Sequence, residues 1–80
     1  MELLKSAQAR VAGRKQVVRA LKAGTARRAY VAEDADTFLF QEVIRAAEAA
    51  RIPCVRVSTM KELGMLCGVD VPTAAAAVLQ

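Results

Sequence analysis

The sequence contains no histidine, so the side chain most often used to move protons near neutral pH is missing. Ser6 and Ser58 stand in no nucleophile-elbow context, and neither GxxxxGK[ST] nor GxGxxG occurs. Catalysis is not expected, and no cofactor is implied. No apolar run approaches the roughly 18 residues that cross a bilayer, which argues against a membrane partner. Residues 1–10 lack the apolar stretch of a signal peptide. Cysteine is scarce: Cys54 and Cys67 lie among apolar residues and form no CxxC pair. That usage points to a reducing cytoplasm, with both thiols serving as small core hydrophobes rather than as a disulfide. Low-complexity tracts, internal repeats and linkers are absent as well. The acids Glu33, Asp34 and Asp36 cluster as a cation site would, but a helix start with Asp36 as its cap accounts for them, and no metal is expected.

What is present is the composition of one packed domain spanning residues 1–80, with 55% hydrophobic and 25% charged residues. A chain of this size builds a core too thin to hide a large active-site cavity. Net charge is only +4, yet its distribution is lopsided. Residues 1–28 carry eight basic side chains against Glu2 alone, whereas residues 29–80 carry four basic and seven acidic ones. The usual partner of such a positive pole is phosphate.

Helical spacing begins at residues 2–10, where Leu3, Leu4 and Ala7 offer a narrow apolar face. A second helix opens at Gly13 and closes at Gly24, a natural C-terminal stop. "ARRAYVAE" (26–33) reads as a strand. "DADT" then starts a helix running to about Ala50 that should bury Phe38, Leu39, Val43, Ile44 and Ala47. Pro53 leads into the strand "CVRVS", and Ser58 or Thr59 can cap a further helix ending at Gly68, with Met60, Leu63, Leu66 and Cys67 inward. Gly64, inside that helix, suggests close packing on the sheet. "AAAAVL" (74–79) would suggest helix by propensity alone. Pro72 and the few residues left favour a final strand. Alternating helices and strands imply a small sheet covered on both faces.

The most informative segment is "GRKQVVRALKAG" (13–24). At about 100° per residue, Lys15, Arg19 and Lys22 share one stripe, flanked by Gln16 and Arg14, while Val17, Ala20 and Leu21 face the core. A cationic helix face is ordinarily just solvated. Here no i,i+4 acid relieves the repulsion, the cations crowd the positive end of the helix dipole, and Gly13 lets another backbone approach free N–H groups. Such placements suit a bound anion.

"GRKQVVRALKAG", "AYVAEDAD" and "IPCVRVSTMKELGMLCGVDVPTAAAAV" together resemble, in order, the L-seven-Ae and L-thirty-e ribosomal protein family. The likeness covers essentially the whole chain and is nearest to the short bacterial members that bind kink-turn RNA. The block "MKELGMLCGVDV" is its most specific part. The resemblance implies an α/β fold, a three-layer αβα sandwich with a four-stranded mixed sheet. It also implies binding of RNA that bends sharply at a bulge beside tandem sheared G·A pairs, as a ribosome-associated or regulatory protein. In the family an Asn-Glu pair, and a Lys one turn later, read the guanines of those pairs. Lys15, Gln16 and Arg19 stand at the matching positions. Gln16 keeps donor and acceptor but lacks the charge of Glu, and Arg19 can engage a guanine in bidentate fashion. Thr37 stands where the family often has Pro. The resemblance further suggests that Val69, Val71 and Pro72, in "GVDVP", pack on a nucleotide flipped out of the bulge. On the residues alone, Val69 and Val71 could instead be strand-edge core. Gly13, Arg14 and Lys22 complete the expected RNA-binding surface. A monomer is expected. The competing function is a protein–protein module whose basic face docks on an acidic partner.

Overall fold

Local chemistry at the helix ends sets the element boundaries. The computed structural model describes residues 9–80. In chain order the elements are β1 (Arg10–Ala12), α1 (Arg14–Ala23), β2 (Ala26–Ala32), α2 (Thr37–Ala50), β3 (Cys54–Val57), α3 (Met60–Leu66) and β4 (Ala75–Leu79). Helix α1 stops where Gly24 turns left-handed at φ 75°, a conformation glycine adopts without steric penalty. Helix α2 begins where the Asp36 carboxylate accepts from the N–H groups of Phe38 and Leu39, at 3.0 and 3.2 Å. The Thr59 hydroxyl caps α3 by accepting from the Glu62 N–H at 3.0 Å. Asp34 adds a bond to that helix start, accepting from the Met60 N–H at 2.8 Å. Two members of the acidic cluster are therefore consumed as helix caps. Among the described residues no group of three or more His, Cys, Asp or Glu could hold a metal ion, and no helix is long and apolar enough to cross a membrane.

The four strands form one sheet in the order β1-β4-β2-β3. Strand β4 runs antiparallel to both neighbours, whereas β2 and β3 are parallel, with α2 as the crossover that parallel pairing requires. Helices α1 and α2 cover one face, where Val17, Leu21, Val31, Val43, Ala47, Ala75 and Ala77 pack together. Helix α3 covers the other, with Tyr30, Val57, Leu63, Cys67, Ala76 and Val78. This is the three-layer αβα sandwich with a mixed four-stranded sheet. Strand β4 sends Ala75 and Ala77 to one face and Ala76 and Val78 to the other, and all four are buried. A central strand covered on both sides reads as a continuous apolar run, so the alanine tract is a strand despite its helix propensity.

Three expectations need correction. The helix expected over residues 2–10 lies mostly outside the described residues, but Arg10 belongs to β1, opposite Val78. Phe38 is 82% exposed rather than buried. At 100° per residue it stands about 140° round the helix from the buried Val43, too far to reach the sheet. Gly64 packs not on the sheet but against backbone: a Cβ there would lie 2.1 Å from the Val71 carbonyl oxygen.

Candidate nucleic-acid interface

Helix α1 buries Val17, Val18, Ala20 and Leu21, which turns Lys15, Gln16, Arg19 and Lys22 outward. Its N-terminus lacks the side-chain cap that Asp36 and Thr59 give the other two described helices. The cap residue Gly13, at φ 98° and ψ 147°, offers no side chain, and no acid occupies the first turn. The positive end of the helix dipole is therefore left open, beside cations that it disfavours. The cations do have one counter-charge that local spacing could not show. Arg14 donates to Glu42 of α2 in an exposed ion pair. The hydrogen bond from Arg14, reinforced by charge attraction, holds the Glu42 carboxyl below its ordinary range, and the same bond raises the guanidinium. Lys15, Arg19 and Lys22 form no ion pair among the described residues.

The loop from Val69 to Pro72 lies between α3 and β4. Val69 and Val71 are 42% and 63% exposed, so neither is part of the core. Helix α3 fixes the loop's path: Val69 N–H donates to the Gly64 carbonyl at 3.0 Å, and Thr73 N–H to the Met60 carbonyl at 2.9 Å. The Val71 carbonyl rests on Gly64 and accepts from the Thr73 hydroxyl at 3.4 Å. A hollow of about 390 Å³ opens beside it, lined by Lys61, Met65, Val69, Asp70, Val71 and Pro72. Met65, 65% exposed, was not singled out by sequence. Its position two residues after the buried Leu63 turns it to the outer face of α3, and an apolar residue off the core face is the only signal of it.

Strand β4 brings these two halves together. Gly13 N–H donates to the Ala75 carbonyl at 3.0 Å, which ties the start of α1 to the strand that the loop enters. All nine residues expected at the surface, Gly13, Arg14, Lys15, Gln16, Arg19, Lys22, Val69, Val71 and Pro72, are exposed.

The whole chain, residues 1–80, matches the model of the ribosomal protein L7Ae/L30e/S12e/Gadd45 family. The protein belongs to that family. RNA-binding protein YbxF of Geobacillus stearothermophilus is 46% identical over 70 residues, covering 88% of this chain and 85% of the relative. An RNA-binding protein of Caldanaerobacter subterraneus is 40% identical over 68 residues, covering 85% and 83%. The 15.5kD RNA binding protein of Giardia lamblia superposes with a TM-score of 0.88 at 28% identity, over 99% of this chain and 69% of that one. Within the L7Ae/L30e/S12e/Gadd45 family, this member presents Lys15, Gln16 and Arg19 on a helix without a side-chain cap and two exposed valines on the loop that leads into β4.

Proposed function

We propose that the protein is a cytoplasmic, monomeric binder of structured RNA whose target is a kink-turn with tandem sheared G·A pairs. The observation that carries this reading is the pairing of an uncapped, cation-lined helix start with an exposed apolar loop, joined through the Gly13–Ala75 hydrogen bond. Each half suits a different part of a bent RNA. Arg19 can bind a guanine's acceptor edge with two parallel N–H donors, and Gln16 can both donate and accept beside it. The open N–H groups and Lys15 suit a phosphate. Val69, Val71 and Pro72 offer an apolar surface for an extruded base, which a continuous duplex does not display. The RNA-binding relatives support the class of ligand. Titration against a kink-turn and against a linear duplex of the same length tests the reading, because both RNAs attract the basic pole but only one has the bent shape. If three or four cations neutralise phosphates, log affinity falls against log salt with a slope of about −2 to −4. A slope near zero would point to an acidic protein partner instead.

A further inference from the structure

The groove between α1 and α2 starts at the motif contact, sharing Lys15 and Arg19 with it, and runs beyond it to residues of α2 that the contact does not use. Two hollows of about 590 and 510 Å³ share Arg14, Val18, Lys22 and Glu42 in their walls, and so form one channel across the two helices. Lys15 and Arg19 border one end, Phe38 and Arg45 the other. Five cations line it against one carboxylate, Glu42, which is held by Arg14. Phe38 alone among the chain's three aromatic residues is exposed: Tyr30 is buried and Phe40 half-buried. Core packing gives no reason for a phenyl ring at that position.

We propose that this groove holds an unpaired RNA strand flanking the folded motif, with its phosphates toward Lys22 and Arg45 and a base stacked on the Phe38 ring. The inference rests on the RNA-binding reading, and it adds a second contact region. A cationic channel ending in an exposed aromatic face is the arrangement that binds single strands without regard to sequence, because every base offers a π-face. A duplex keeps its base faces stacked and could not use the ring. Continuity favours RNA over an acidic polypeptide. Lys15 and Arg19 lie both in the motif contact and at the mouth of the groove, so a strand leaving the motif enters it directly.

The test uses the full chain and three probes: a kink-turn hairpin, the same hairpin with a short oligouridine extension on either end, and free oligouridine. Wild type is compared with Phe38→Ala and Arg45→Gln, both at exposed positions, with thermal melting as the check on folding. One of the two extensions should raise wild-type affinity by roughly tenfold. Each variant should lose most of that gain while binding the bare hairpin as wild type does. Free oligouridine should bind weakly and lose that binding in Phe38→Ala. Extensions that add no affinity, or a gain that survives in both variants, would overturn the inference whatever the hairpin does. An acidic peptide that displaces oligouridine at equal concentration would also overturn it, in favour of a protein partner. If the hairpin binds no better than a linear duplex while oligouridine still depends on Phe38, the kink-turn reading fails and the groove stands.

Discussion

Gly64→Ala is the substitution through which the geometry of the loop can be measured. A Cβ at that position would lie 2.1 Å from the Val71 carbonyl oxygen and 3.2 Å from its carbon. Favourable non-bonded separation is roughly 3.5 Å, so the overlap exceeds 1 Å. The obstructing atom is backbone, and it cannot swing aside freely because Val69 and Thr73 are each hydrogen-bonded to α3. Overpacking of this kind costs about 1–3 kcal/mol. Alanine returns about 1 kcal/mol of helix propensity. The net loss should be about 0–2 kcal/mol, which for a domain of this size lowers the melting temperature by up to roughly 15 °C. Whatever strain is relieved must move the loop outward, so the folded variant should also bind RNA less tightly. Melting by circular dichroism and RNA titration on the same preparation measure both effects. A variant that melts at or above the wild-type temperature, with RNA affinity intact, would show that the loop does not rest on Gly64.

Other perturbations bear on the remaining parts. Val71→Asp should leave stability within about 0.5 kcal/mol, because the side chain is 63% exposed, yet weaken RNA binding through lost packing and repulsion from phosphate. A large drop in melting temperature would instead make Val71 structural. Glu42→Gln releases Arg14 from its ion pair. RNA binding should tighten, and the salt slope should steepen by about 0.8 if the freed guanidinium neutralises one phosphate. An unchanged slope would place Arg14 away from the RNA backbone. Burial pushes both thiols up from their ordinary value, so less thiolate is present at neutral pH than for a free cysteine. Alkylation of Cys67, which is buried, should therefore proceed only as fast as the protein unfolds, and rapid labelling of it in the native state would contradict its placement.

How much of this could be seen in the sequence depended on the range of the interaction involved. Helix ends follow from neighbours a few residues away, so Gly24, Asp36 and Thr59 were readable as stops and caps. The outward stripe of Lys15, Arg19 and Lys22 followed from helix geometry alone. Strand β1 was not readable, because three residues carry no periodicity and Arg10–Ala12 becomes a strand only by pairing with β4 at the far end of the chain. The Arg14–Glu42 pair spans 28 positions and two helices, so the basic face looked less balanced than it is. Phe38 looked like core because it sits in an apolar run, and only its angle about α2 turns it outward. Gly64 was read as a helix residue seeking the sheet, whereas its neighbour is a loop carbonyl whose path no local pattern specifies. The site halves were each visible, but the hydrogen bond from Gly13 to Ala75 that ties them together was not.

The central claim is that Gln16 and Arg19, with Lys15 on the adjoining phosphate, recognise sheared G·A pairs and that the basic face does more than attract phosphate. The most direct measurement is the dissociation constant for a kink-turn RNA beside that for the same RNA with its G·A pairs converted to Watson–Crick pairs. Arg19→Ala should cost about 1–3 kcal/mol on the first RNA. Converting the G·A pairs should weaken wild-type binding by more than that substitution does, since it removes both the guanine edges and the bend. Equal affinity for the two RNAs would contradict kink-turn recognition outright.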